Sequence, residues 1–470
     1  MHVFDNEAAS FVLEERLINF IEKTFHTVDP GTKFQENWHI DLIADRLEKV
    51  AEGKIKRLII NVPPRSLKSI CVSVAWPAWV LGRNPSAKLM VASYSQILSL
   101  KHSMDCKLVM SSDWYKETFP YVEIAHGQNE KFKFVTTQRG FRFATSVGGT
   151  ATGEGGDILI VDDPHNPMQA ASDVQRKAAL DWFDRTFMSR LNNKKKGVVV
   201  VVMQRLHVND LTGHLLSKKG VRWNQLCLPA VSDRRKTYTI RNYKKSRVIF
   251  KKGEILNPKR EGEREIERAK QELGSYAYAA QYLQNPVNAD SGMVNIDWFK
   301  RYNVLPEGNK VVQSWDTAIK TGANNDVSAS TSWIETQSGY YLADVTAKKM
   351  EYPELKRTVI SLAQKWNANT ILIEDKASGQ SLIQDLKRET KLPIIAVNPK
   401  NDKITRFAAV TALIEAGRVW LPNSSEWLID YETQILGFPN TPNDDMVDST
   451  SQFLNWVRNK RNINPSLRLL

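Results

Sequence analysis

The stretch Leu58-Ile59-Ile60-Asn61-Val62-Pro63-Pro64-Arg65-Ser66-Leu67-Lys68-Ser69 constrains this chain more than any other. An apolar run ends in a proline-set corner, and Arg65, Lys68 and Ser69 follow where a helix should begin. Strand, turn, Lys-Ser and helix is the order of a phosphate-binding loop. Backbone N–H groups at a helix start attract anions. A lysine there reaches the β/γ-phosphates of a nucleotide, and a hydroxyl one residue on can hold Mg²⁺. The G-x-x-x-x-G-K-[ST] spacing is nevertheless broken, because Val62 and Leu67 stand where the two glycines belong. The reading therefore needs support from elsewhere in the chain.

Asp157-Ile158-Leu159-Ile160-Val161-Asp162-Asp163 supplies it. Four apolar residues closing on paired acids predict a buried parallel strand that delivers carboxylates at its C-terminal end, where α/β sheets bind ligands. Asp162 and Ser69 would share Mg²⁺, and Asp163 would orient the attacking water where many such enzymes use Glu. A shorter Asp must sit closer or act through a water. Arg65 is a candidate for stabilising transition-state charge in cis. Arg205, after the apolar run 198–203, is either a sensor coupling hydrolysis to movement or an ordinary ion-paired arginine. Arg139, Arg142 and Arg185 are open candidates for an arginine acting on a neighbouring subunit. Upstream, Gln35, Trp38 and His39 would contact the base or simply pack. The expected ATP and Mg²⁺ site is thus Gln35, Arg65, Ser66, Lys68, Ser69 and Asp162, with Asp163 and Arg205 beside it. Strands at 58–62, 88–93, 141–146, 158–162 and 198–203 alternate with helices, which argues a parallel α/β sheet.

The second half has its own pattern. Strands at 311–316, 327–334 and 340–345, the last two joined by Gln337-Ser338-Gly339, precede a helix at 353–366 and a strand at 370–375. A helix at 381–389, a strand at 394–397 and further helices follow. Three antiparallel strands and then helix–strand alternation is the order of a ribonuclease-H-like mixed sheet. Asp316 and Glu374 close two strands, and Asp445 and Asp448 lie three apart at a helix start, so both face one side. Carboxylate oxygens suit Mg²⁺ or Mn²⁺. Two such ions about 4 Å apart can activate a water and stabilise the leaving oxygen in phosphodiester cleavage. Asp444 and Asp445 also suit a helix start on their own account. Lys403 would meet phosphate or solvent.

Length and charge bound the rest. At 470 residues the chain is long enough for two or three domains, read here as an ATPase domain at 1–225, a basic lid or linker at 226–304, a nuclease at 305–457 and a basic tail at 458–470. No stretch approaches the roughly 20 apolar residues of a membrane span, and the first residues lack the basic and apolar regions of an export signal. Cys71, Cys106 and Cys227 are too scattered for a metal site and fit a reducing compartment. The net charge of +13 favours a polyanionic partner. The excess gathers at Lys194-Lys195-Lys196 and between Arg234 and Arg264, either as a solvated surface or as a track for a DNA backbone.

Taken in order, these motifs identify a resemblance to the large terminase subunit of tailed bacteriophages. Pro63-Pro64-Arg65 with Lys68-Ser69 resembles that family's variant phosphate loop, Gly153 to His165 its second nucleotide motif, and Gln204-Arg205-Leu206-His207 with Asp210-Leu211 its coupling motif. Ser314 to Ala318, Ile373 to Gly379, Lys400 to Arg406, Gly437-Phe438-Pro439 and Asp444 to Asp448 resemble its nuclease motifs. The resemblance implies an ATPase pumping double-stranded DNA through a portal and a metal-dependent endonuclease cutting concatemers. It also implies a small terminase partner, a homo-oligomeric ring (commonly a pentamer) on the prohead, and action in the cytoplasm of a bacterial host. Two rivals share parts of this pattern. A DNA-repair helicase–nuclease would need a second ATPase core, and a recombinase would leave Lys68 with Asp162 unexplained. A DNA-binding shell protein would need neither set of acids.

Overall fold

A computed structural model of the chain describes residues 2–149, 153–241, 247–286, 292–307, 310–318, 327–376, 378–399, 401–441 and 443–463. It divides into two compact units: residues 1–269 with 277–287, and residues 270–276 with 288–470. The basic stretch expected to form a lid is thereby divided, 226–269 going with the first unit and 288–304 with the second. Among the described residues, no helix is long and apolar enough to cross a membrane.

The first unit is built on an eight-stranded sheet. Its strands are β1 (Arg57–Asn61), β2 (Lys88–Ser93), β3 (Ile124–Asn129), β4 (Lys133–Thr136), β5 (Phe141–Ser146), β6 (Ile158–Asp162), β7 (Val198–Met203) and β8 (Asn224–Cys227). They lie in the order β3-β4-β5-β2-β6-β7-β1-β8. The run from β5 to β8 is parallel, and β3 and β4 add an antiparallel edge. Every residue of β7 is buried, because helices cover both faces of a parallel sheet. Parallel order also gathers the ends of β1 and β6 on one edge of the sheet, with β7 between them. β9 (Lys236–Thr239) and β10 (Arg247–Phe250) form a separate antiparallel hairpin.

The chain opens on two helices, His2–Glu15 and Leu17–Val28. Arg16 between them is extended, and the Glu48 carboxylate accepts from Leu17 N–H at 2.9 Å and Arg16 Nε at 3.3 Å. A π-helix, Ile70–Ala75, runs straight into an α-helix, Trp76–Arg83, with Pro77 in its first turn.

The second unit carries the expected ribonuclease-H-like sheet. Its strands are β11 (Lys300–Tyr302), β12 (Lys310–Asp316), β13 (Ser328–Glu335), β14 (Tyr340–Lys348), β15 (Thr370–Glu374), β16 (Ile394–Val397) and β17 (Val419–Pro422), in the order β11-β17-β14-β13-β12-β15-β16. β12, β13 and β14 are antiparallel, and β15 and β16 then run parallel to β12. The helix Asp445–Ile463 is bonded onto this sheet. Ser449 Oγ donates to the Ser314 carbonyl at 2.8 Å, and Gln452 Nε2 to Ser314 Oγ at 2.9 Å. Trp333 stacks on Phe453 with centroids 4.7 Å apart. These contacts seat the helix start beside the ends of β12 and β15. Leu342, Leu372, Phe407, Ile414 and Phe453 are fully buried in the core beneath.

Candidate functional site

The loop after β1 turns without glycine. Leu67, at the second glycine position, has φ 59°, and Arg65 has φ 61°. For residues with a Cβ this left-handed region is unfavourable by roughly 1–2 kcal/mol each, and it persists only where the surroundings enforce it. Here Ser66 Oγ donates to the Pro63 carbonyl at 2.9 Å, Cys71 N–H bonds the Leu67 carbonyl at 3.0 Å, and the Leu67 side chain packs on the core. Val62, at the first glycine position, is simply a buried residue just after β1.

Lys68 and Asp163 meet at 3.0 Å. Asp162 is fully buried. It accepts from Ser69 Oγ at 3.1 Å and from Ser73 Oγ at 2.7 Å. Burial pushes both carboxyls above the ordinary range, while Lys68 and, at Asp162, the serine hydroxyls pull the other way. Asp163 has φ 46° and is held on both sides, its N–H bonding the Val202 carbonyl and its carbonyl accepting from Tyr94 N–H. Its Oδ1 also accepts from Gln204 N–H at 3.2 Å. Buried behind Asp162, the Arg142 guanidinium donates to the Ser73 carbonyl at 3.0 Å, and His102 Nδ1 lies 3.5 Å from the carboxylate. Burial and then Arg142 hold His102 down at about 4, so it is neutral at pH 7.

The structure gathers Lys68, Ser69, Asp162 and Asp163, and arranges other expected residues differently. Arg65 is exposed at the loop tip, and Ser66 closes the loop. Gln35 is exposed in the connection before the helix Trp38–Ala51. Trp38 packs, stacking on Tyr238 with centroids 5.6 Å apart. His39 is buried against the Ser66 carbonyl, and burial holds it down at about 4. Arg205 takes the ion-paired alternative: its Nε bonds Asp210 at 2.9 Å, and Asp210 caps the helix Leu211–Ser217. Arg142 has no exposed surface, which removes it as an arginine acting on a neighbouring subunit, whereas Arg139 and Arg185 are exposed. Ser73 was missed by sequence reasoning. Its signal is its place one turn beyond Ser69, on the same face.

In the second unit, Asp316 and Glu374 end neighbouring parallel strands, with Trp315 opposite Ile373. The turn after Glu374 is tight: a Cβ on Gly379 would stand 1.8 Å from the Glu374 carbonyl oxygen. Asp445 and Asp448 occupy the first turn of the helix Asp445–Ile463. Two cations lie among these acids. Arg406 bonds Asp448 at 2.7 Å and stands 3.6 Å from Glu374, while Lys403 bonds Asp444 at 2.6 Å and Asp448 at 2.8 Å. Lys403 is exposed, as one of the two expectations had it, and also pairs with these carboxylates. Burial, then Asp448 and Glu374, push the Asp316 carboxyl up to about 8. The donor set is all oxygen and carries surplus negative charge, which fits hard divalent cations. Among the described residues, no three of these side chains form a ready-made coordination cluster.

The fold is an α/β domain on a parallel-rich sheet followed by a ribonuclease-H-like domain. Residues 313–456 match the family model "Terminase RNaseH-like domain". The large terminase of a thermophilic bacteriophage, in complex with ADP, is similar over 88% of this chain and 99% of its own, at 12% identity and a TM-score of 0.50. A second crystal form of that protein gives 11% identity, 88% and 98% coverage, and a TM-score of 0.51. These likenesses show a shared fold. The large terminase of bacteriophage HK97 aligns over 94% of this chain and 99% of its own at 11% identity, with a TM-score of 0.37. No curated protein matches the sequence. The resemblance to phage large terminase subunits is borne out in the nuclease half by family and along the chain by fold.

Proposed function

We propose that the chain hydrolyses ATP in its first unit to drive double-stranded DNA into a prohead, and cuts concatemeric DNA in its second. The observation that carries this reading is the pairing, in one chain, of Lys68–Asp163 and Ser69–Asp162 contacts with a strand-end carboxylate group in a terminase-type nuclease fold. Lys68 would bind the β/γ-phosphates, with the N–H groups after the loop beside it. Ser69 and Asp162 would hold Mg²⁺, which supplies charge neutralisation at the phosphates. Asp163, fixed between β2 and β7, would orient the attacking water once Lys68 turns to phosphate. Arg65 is free at the loop tip to approach the γ-phosphate. Gln35 would contact the nucleotide base. The coupling role of Arg205 would act through Asp210 and the Gln284 side chain that accepts its N–H at 3.0 Å.

In the second unit Asp316, Glu374, Asp445 and Asp448 would hold two Mg²⁺ or Mn²⁺ ions, which supply the activated water and stabilise the leaving oxygen. Lys403 and Arg406 set the charge balance of that group. The assembly would be a ring, commonly of five copies, on the portal of the prohead, with a small terminase subunit delivering DNA in the host cytoplasm. Domains at 1–225 and 305–457 would carry the two activities, with 226–304 and the tail 458–470 as basic DNA-facing segments. Residues 464–470 lie outside the described residues. ATP-driven packaging of duplex DNA into proheads tests the reading. ATP hydrolysis without any DNA uptake would overturn it.

A further inference from the structure

The edge of the first sheet opposite Lys68 and Asp162 is cationic. Parallel order puts the amino-terminal ends of β7, β1 and β8 side by side, Arg57 opposite Val199 and Leu58 opposite Asn224. The segment entering each strand is basic: Lys194-Lys195-Lys196 before β7, Lys54 and Lys56 before β1, and Lys218, Lys219 and Arg222 before β8. Adjacent strands lie about 4.8 Å apart, so the three segments fall within roughly 10 Å.

The lysine loop is built. Asn193 Oδ1 accepts from Lys195 N–H at 2.9 Å and Lys196 N–H at 3.0 Å, and Gly197 N–H closes the turn on the Asn193 carbonyl at 2.7 Å. A Cβ on Gly197 would stand 2.6 Å from that carbonyl oxygen, so the turn requires glycine. From the neighbouring segment, Lys56 Nζ donates to the Lys195 carbonyl at 2.9 Å, and Arg57 Nη1 donates to the Gly197 carbonyl at 2.8 Å. Cations are thus fastened beside cations. The acids nearby are already engaged: Glu52 by Lys54 and Arg241, Asp184 by Lys218 and His214, and Asp157 by Asn192 and Lys88 N–H. Among the described residues no carboxylate pairs with Lys56, Lys194, Lys195, Lys196, Lys219 or Arg222, and all six are exposed.

We infer that this edge is a binding surface for the phosphate backbone of duplex DNA. Like charges held together gain nothing from each other, but they gain from a polyanion that carries one charge per about 1.7 Å of its axis. No aromatic side chain is exposed among these segments, so the surface has charge without the anchor a protein partner would use. The edge lies about 17 Å from the phosphate loop, the length of β1. DNA and nucleotide would therefore occupy opposite ends of the same strands, and a shift of β1 would be felt at both.

This surface rests on the proposed DNA-handling function, and the test separates the two. Binding of a fluorescent duplex of about 30 base pairs to the full chain is followed by anisotropy against salt, in EDTA so that nothing is cut. The triple variant K194Q/K195Q/K196Q should flatten the slope of log affinity against log salt by about 2.7, at about 0.9 per lost phosphate contact. Its ATP hydrolysis without DNA should match the parent, and R222Q alone should flatten the slope by about 0.9. An unchanged slope in the triple variant overturns the surface. So does polyglutamate competing as well as duplex at equal charge, which would mark a general anion-binding face. A parent chain that binds no duplex would sink the proposed function itself.

Discussion

The two candidate sites manage negative charge in opposite ways. In the first unit two aspartates stand apart in their duties. Asp163 meets Lys68, and Asp162 is satisfied by two serine hydroxyls in a fully buried place. In the second, Asp316, Glu374, Asp444, Asp445 and Asp448 crowd one edge, and Arg406 and Lys403 are shared among them. The carboxylates of the first site are thus met by protein donors, and left-handed backbone lies at Arg65, Leu67 and Asp163. The second is short of positive charge, and Asp316 shows it by holding its proton up to about pH 8.

That contrast can be broken by substitution. Lys68→Ala removes the one cation bonded to the paired aspartates and should lower ATP hydrolysis by at least about 100-fold, leaving Mn²⁺-dependent nicking of supercoiled plasmid intact. Asp316→Asn should do the reverse, abolishing nicking while hydrolysis stays. If either variant lost both activities while still folded, the separation of the sites would be refuted. Ser73→Ala should slow hydrolysis by about tenfold to 100-fold, since a hydrogen bond to a charged group is worth about 1.5–3 kcal/mol. It should also raise the Mg²⁺ concentration needed for half-maximal rate. A merely structural serine would move the melting temperature and leave that Mg²⁺ dependence where it was.

Stability against pH sharpens the comparison further. The Asp316 carboxyl keeps its proton in the folded chain up to about pH 8, whereas in the unfolded chain it loses it near pH 4. The folded state thus binds the extra proton between these values, so this group's contribution falls as pH rises through the window. Asp316→Asn should melt roughly 2–4 °C higher than the parent at about pH 8.5 in EDTA, with the gain fading toward about pH 4. A gain independent of pH would mean that crowding is not its origin. The smallest effect is at the first site. Arg65→Gly should relieve about 1 kcal/mol of left-handed strain and raise thermal stability slightly, while hydrolysis falls.

Much of this architecture could be read from the residues. Apolar runs ending in acids located β6 and β15 because a strand buried on both faces leaves little sequence ambiguity, and the same logic found β7. What escaped was set by tertiary contact. Arg16 breaks the first helix because Glu48, on another helix, takes its neighbour's N–H. The strands β3 and β4 lack a continuous apolar run, and β8 is mostly exposed along one edge. Trp38 looked available to a ligand until the hairpin of Tyr238 and Phe250 covered it. Arg205 and Lys403 illustrate a further limit. Local sequence places a cation near a site, but only the folded chain decides which carboxylate it meets.

The glycine-free turn has a consequence for speed as well as for shape. A loop rich in glycine visits many conformations and surrenders that freedom each time a nucleotide is seated. Here Pro63, Pro64, Arg65 and Leu67 leave few alternatives. The entropy of ordering this turn is settled when the chain folds. On the function proposed, rounds of nucleotide binding and release would then not wait for the loop to find its form.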